Sequence, residues 1–85
     1  MGTSKKAPAV RRPFDYAKLR GRIREKYEKE SAFAQALGVS TKTLSDWLNN
    51  QKYWRHEDMS VAIDLLGIQD TEVGAYFFTR KVQED

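Results

Sequence analysis

Residues 30–50, Glu30-Ser-Ala-Phe-Ala-Gln-Ala-Leu-Gly-Val-Ser-Thr-Lys-Thr-Leu-Ser-Asp-Trp-Leu-Asn-Asn50, read as two short helices joined by a tight turn at Gly38-Val39-Ser40. Apolar or small residues fall at Phe33, Ala34, Leu37, Val39, Leu44, Trp47 and Leu48. The spacings Ala34 to Leu37 and Leu44 to Leu48 put apolar groups on one face of each helix. Ala34 is small where crossing helices need close approach, and Gly38 stands where the first helix must end in a left-handed conformation. Ser40 can cap the second helix by accepting a backbone N–H bond. The outward side of that helix then carries Thr41, Lys42, Thr43, Ser45 and Asp46, short or moderate side chains rich in donors and acceptors.

The flanking sequence extends the helical pattern. Tyr16, Leu19, Ile23 and Tyr27 recur at three- and four-residue steps and predict a helix from about Asp15 to Tyr27, with Asp15 favourable at the positive helix end. A polar loop with an aromatic pair, NNQKYWR, spans Asn49 to Arg55. Met59, Ala62, Ile63 and Leu66 predict a further helix from about His56 to Leu66, stopped by Gly67. Asp70 or Thr71 can cap a short last helix into Tyr76 and Phe77. Residues 78–85 alternate loosely and read as helix end, strand or tail, with 79–85 as a C-terminal tail or dimer contact. The expected architecture is an all-α bundle of four or five helices, with residues 13–78 as its body. Residues 1–12, rich in Lys, Arg, Ala and Pro, read as a disordered basic arm.

Size and charge narrow the function. The 85 residues make one domain with one modest core. There is no cysteine, which excludes disulfides and thiolate metal sites and points to a reducing cytoplasm. No apolar run approaches the roughly 18 residues of a membrane span, and the N-terminus lacks the apolar segment of a secretory signal. His56 is the single histidine, without a second His or Cys to share a metal, so neither metal nor cofactor is expected. Ser, His and Asp occur, yet a catalytic triad needs a cleft that this chain has little room to build. The expectation is a protein without catalysis.

The net charge of +3 hides an asymmetry. Residues 1–12 hold Lys5, Lys6, Arg11 and Arg12 and no acid. Residues 13–55 hold nine basic and five acidic side chains, and residues 56–85 hold two basic and seven acidic ones. A polyanion is therefore attracted to one side and turned away from the other. A short helix whose polar face joins a basic surface is suited to the major groove of DNA.

Ala34, Gly38, Val39, Leu44 and Trp47 stand at the intervals of the Cro/repressor type of helix-turn-helix protein, and residues 14–68 resemble that lambda-repressor-like family. FDYAKLRGRIREKY and YFFTRKVQE are also similar to short regulators encoded by phages and prophages of Gram-positive bacteria. The resemblance implies a sequence-specific regulator acting by operator occupancy, with residues 41–49 as recognition helix. It implies base contacts from Thr41, Lys42 and Asp46, with Ser45 on the same surface. Lys42 would donate to guanine and Asp46 accept from cytosine. Phosphate contacts would come from Ser40 and Thr43, from Lys29 to Ser31 at the preceding helix start, and from Asn49, Lys52 and Arg55. Glu30 departs from the family, which often places Gln there, and a carboxylate beside phosphate is unfavourable. Lys5, Lys6, Arg11 and Arg12 either wrap the duplex or help non-specifically as a flexible tail.

Tyr76, Phe77, Phe78 and Val82 concentrate apolar groups at the acidic end and are expected to supply a dimer contact, with core closure by Tyr76 and Phe77 as the other reading. A homodimer on a palindromic operator, formed in solution or only on DNA, is the expected assembly. Trp47 is expected in the core, and Tyr53 and Trp54 are expected to pack the loop onto the bundle. Two other readings share the fold: an antitoxin whose C-terminal acidic-aromatic segment masks a toxin, and a pure protein-interaction module, for which Asp46 and Glu30 on the DNA-facing side would argue.

Overall fold

The computed structural model describes residues 13–81 and is all-α, as the periodicity predicts. The helices are α1 (Ala17–Tyr27), α2 (Glu30–Leu37), α3 (Thr41–Leu48), α4 (His56–Leu66) and α5 (Val73–Phe77), with a 3₁₀ turn at Asp70–Glu72 leading into α5. Helix α1 packs against α2, α4 and α5, and α2 packs against α3 and α4. Leu19 and Ile23 from α1, Phe33 and Ala34 from α2, Leu44 from α3, and Ala62 and Leu66 from α4 meet in one core. Burial of each large aliphatic or aromatic side chain there contributes on the order of 1.5–3 kcal/mol.

Each helix end has a local cause. Asp15 does not enter α1: its Oδ1 instead accepts from the Ala17 N–H at 2.9 Å, so the helix starts two residues later than the sequence suggests. Gly38 ends α2 with φ +83°. Its N–H bonds the Ala34 carbonyl at 3.0 Å, and the Val39 N–H bonds the same oxygen at 3.0 Å. Gly67 does the same for α4 with φ +64°, and Arg22 of α1 reaches across to donate from Nε to the Leu66 carbonyl at 3.0 Å. Lone carbonyls at a helix end are thereby satisfied from a neighbouring helix.

Several expectations change. Tyr76 and Phe77 are 8% and 1% exposed and close the core, the other reading of this segment. The turn of α5 carries them inward because Phe77 meets the Trp54 ring edge-on at 5.2 Å and Lys18 lies over the Tyr76 ring at 4.9 Å. Phe78, one residue on, meets the Phe14 ring edge-on at 5.8 Å and stays 50% exposed, and Val82 lies outside the described residues. Tyr53 and Trp54 part ways. Trp54 stacks on Trp47 at 4.7 Å inside the bundle, whereas Tyr53 is 61% exposed. Residues 79–81 take the strand-like alternative. The Asp15 N–H bonds the Thr79 carbonyl at 2.7 Å and the Lys81 N–H bonds the Pro13 carbonyl at 3.3 Å, which pairs the two ends of the described chain antiparallel.

Candidate nucleic-acid interface

The α2–turn–α3 unit presents the expected polar surface on a short, well-anchored helix. Ser40 Oγ accepts from the Thr43 N–H at 3.0 Å and donates to Thr43 Oγ1 at 2.9 Å, which fixes the start of α3. Leu44, Trp47 and Leu48 bury the opposite face. Thr41 and Lys42 are exposed on the outer side, and Thr43, Ser45 and Asp46 are half-buried beside them. Lys29 and Ser31 are exposed at the start of α2, whose N-terminal amides receive no side-chain cap.

The charges on this face are already paired with one another. Lys42 Nζ lies 3.3 Å from Asp46 Oδ1 and 3.4 Å from Oδ2, and Lys52 Nζ approaches Asp46 Oδ2 at 4.0 Å. The Asp46 side chain is only 18% exposed. Lys42 and Asp46, assigned to separate bases, therefore reach those bases only by releasing each other. Their four-residue spacing is the usual one for a helical ion pair, so this contact was legible in the sequence. An exposed pair of this kind is worth less than about 1 kcal/mol and is readily exchanged for a stronger partner. Ser45 and Asn49 are likewise joined, Asn49 Nδ2 donating to Ser45 Oγ at 3.1 Å.

Glu30 and the end of α3 are organised by Arg20, a residue to which the sequence assigned no part in the site. Its guanidinium donates to Glu30 Oε2 at 2.7 Å, to the Leu48 carbonyl at 3.2 Å and to Asn49 Oδ1 at 2.8 Å. The carboxylate that departs from the family pattern is thus neutralised by α1. One arginine caps the C-terminus of α3 and pins the start of α2, using the fork geometry that lysine lacks. No periodicity announces this, because Arg20 and Asn49 lie far apart in sequence.

Lys52, Tyr53 and Arg55 complete the surface after α3. With Gly38, Ser40 and Trp47 they line an open concavity of about 420 Å³. Arg55 donates to Asp58 Oδ2 at 2.6 Å and lies over the Trp47 ring at 6.0 Å. Asn50 is the second residue that the sequence did not single out. It adopts φ +61° and is 2% exposed, and both ends of its amide bond the backbone of Phe14 at 3.0 Å. The structure brings Ser40, Thr41, Lys42, Thr43, Ser45, Asp46 and Asn49 onto one helix, with Lys52 and Arg55 in the loop beyond it. Lys5, Lys6, Arg11 and Arg12 lie outside the described residues.

Among the described residues no group of three His, Asp or Glu side chains is arranged to hold a metal ion, and no helix is long and apolar enough to cross a membrane. Fold and surface together define a small all-α protein built around two short helices, with a polar and partly basic face.

The chain belongs to the family described as a protein of unknown function, DUF739, which it matches over residues 12–80. It is similar to the solution structure of the modulator of repression of the temperate bacteriophage TP901-1 from Lactococcus lactis, with 34% sequence identity and a TM-score of 0.70. That similarity covers 82% of this chain and 95% of the phage protein. No curated protein matches the chain. The sequence resemblance to short phage regulators thus meets a phage regulatory protein, while the Cro/repressor family name does not come with it.

Proposed function

We propose that this chain is a regulator in a phage repression circuit and binds double-stranded DNA through the outer face of α3. The observation that carries the reading is the placement of Thr41 and Lys42, exposed on a side-chain-capped helix, next to the uncapped amide end of α2 with Lys29 and Ser31. A rigid helix supplies base contacts, and a neighbouring helix start supplies a phosphate clamp. Lys52 and Arg55 extend the cationic rim. When Lys42 turns from Asp46 to a base, Lys52, 4.0 Å from the same carboxylate, still stands beside it. The chain regulates by occupancy, as a homodimer that forms in solution or on the operator.

A second reading has its own support. The relative is by name a modulator of repression, and the tyrosine beside this face, Tyr53, is exposed, as an aromatic anchor at a protein contact would be. In that reading the α3 face docks on a repressor protein and leaves DNA alone.

Selection of bound sites from random double-stranded DNA at near-physiological salt separates the two. A recovered palindrome with half-sites about 34 Å apart supports a dimeric reader. A single enriched half-site supports a monomeric one, and no enriched sequence overturns the DNA reading in favour of the protein partner. On a recovered site, Lys42→Ala should cost about 1–3 kcal/mol and relax sequence choice at one position. Equal binding to matched and mismatched sites before and after the change refutes the assignment of Lys42 to a base.

A further inference from the structure

Three polar side chains form a line of bonds that runs from α1 to the outer face of α3. The Arg20 guanidinium donates to Asn49 Oδ1 at 2.8 Å, and Asn49 Nδ2 donates to Ser45 Oγ at 3.1 Å. Chemistry alone sets the direction of each bond. A guanidinium carries N–H donors and no acceptor, so the atom of Asn49 that faces it must be the oxygen. The reversed amide would set two donors against each other. With its oxygen at Arg20, the amide turns its nitrogen to Ser45, and that nitrogen only donates. Arg20 is itself held by Glu30 at 2.7 Å and by the Leu48 carbonyl at 3.2 Å, so it orients Asn49 rather than following it. Ser45 Oγ is therefore an acceptor within the protein. Its single hydrogen remains to donate, and among the described residues it donates to no protein group.

Ser45 follows Thr41 by four residues and Lys42 by three, so it shares their face of α3. A donor there is satisfied by a base edge that offers an acceptor. In the major groove guanine shows O6 and N7, adenine N7 and thymine O4, whereas cytosine shows only its amino group. We propose that Arg20 and Asn49 are positioning residues that present the Ser45 hydroxyl as a donor, and that Ser45 thereby selects guanine over cytosine at one base. The base assignment rests on the DNA-binding reading, while the relay rests on the geometry of the protein alone. Cytosine at that position faces one donor with another, and a desolvated donor left without a partner is what discriminates. Asn49, expected at a phosphate, is instead held by a protein partner at each end of its amide.

Site selection from random double-stranded DNA by the full chain, in a cycle of Asn49→Asp and Ser45→Ala, tests the base assignment. The position concerned is the one at which Ser45→Ala loses its preference. There the wild-type chain should enrich guanine over cytosine by at least about fivefold, the lower end of what one mismatched base pair costs. An aspartate at position 49 only accepts, from Arg20 and from the Ser45 hydroxyl, so the lone pairs of Ser45 then face the groove. The preference should turn toward cytosine or adenine, whose amino groups donate. The added negative charge weakens binding to every sequence alike and leaves the base ratio unmoved. In the Ser45→Ala background, Asn49→Asp should no longer change the ratio. An unchanged ratio in Asn49→Asp, or a change that survives Ser45→Ala, overturns the proposal and leaves the DNA reading in place. No enriched sequence with the wild-type chain removes the DNA reading and the base assignment together.

The relay itself is read without DNA, by NMR of the free chain. The side-chain amide protons of Asn49 should show a nuclear Overhauser effect to the β-protons of Ser45, and Arg20→Met should remove most of it. No such effect in the wild-type chain, or one that Arg20→Met leaves intact, overturns the relay. Should Arg20→Met fail to fold, Ser45→Ala serves in its place, because alanine is favoured inside a helix. It should shift the side-chain amide signals of Asn49, and unchanged signals overturn the bond from Asn49 to Ser45.

Discussion

Arg20 is where sequence and fold meet most directly, and replacing it isolates what the tertiary structure adds to the α2–α3 unit. Arg20→Met keeps the apolar stem and removes the guanidinium, so packing is largely retained and three contacts are lost. The ion pair with Glu30, at 2.7 Å, joins side chains that are 32% and 26% exposed, which limits it to about 1 kcal/mol or less after solvent screening. The bond to the Leu48 carbonyl is part-buried and contributes about 0.5–1.5 kcal/mol, with more at stake if the carbonyl is left without water. The bond to Asn49 is exposed and adds little. The expected loss is about 1.5–2.5 kcal/mol, which at 4–8 °C per kcal/mol for a domain of this size lowers Tm by roughly 10 °C.

Thermal unfolding followed by circular dichroism reads this directly. Glu30→Gln alone should cost under about 1 kcal/mol, and the double variant should show a coupling of about 0.5–1 kcal/mol between the two positions. On the proposed DNA-binding reading, affinity adds an independent readout. Arg20→Met leaves a bare carboxylate at the start of α2 and should weaken binding more than Arg20→Met combined with Glu30→Gln. A Tm for Arg20→Met within about 2 °C of wild type, or no coupling to Glu30, refutes the role given to Arg20.

Three other expectations follow from single features. Burial pushes the Tyr16 hydroxyl up to about 12, with the Trp54 side chain pulling the other way. The fully buried Trp54 Nε1 closes no hydrogen bond of good geometry, so burial dominates. The folded chain keeps the Tyr16 proton while the unfolded chain releases it from about pH 10. This contribution is therefore complete below pH 10 and is lost between about 10 and 12, for a fall on the order of 2 kcal/mol; urea unfolding across that range should show Tyr16→Phe with a shallower decline. Gly38→Ala places a Cβ that meets nothing within 4 Å, so its cost is that of φ +83° alone, about 1–2 kcal/mol by urea unfolding. A larger loss would mean that the turn is held by packing. Phe78 is the one member of the expected dimer contact that the described residues leave exposed, so on the proposed homodimer Phe78→Ser should shift dimer to monomer in sedimentation while also removing the ring contact with Phe14; an unchanged dimer places the contact elsewhere.

The sequence by itself determined what local physics controls. The three- and four-residue recurrence of Leu19, Ile23, Leu44 and Leu48 specified helices and their buried faces, because a helix has one period and water excludes one stripe of it. Gly38, Ser40 and Gly67 marked helix ends through backbone conformation and capping, which act within a few residues. The four-residue spacing of Lys42 and Asp46 likewise contains their ion pair. The tertiary structure alone decided which aromatic residues of the last segment turn inward. Tyr76, Phe77 and Phe78 are adjacent and similar in hydrophobicity, and only the positions of Trp54 and Lys18 separate core from surface. It also decided that Arg20 neutralises Glu30 and that Asn50 clasps Phe14, 36 residues away. Such contacts carry no period and no motif. They exist because folding brings polar groups of α1, the start of α2, the end of α3 and the segment before α1 together, and each must find a partner once water is removed.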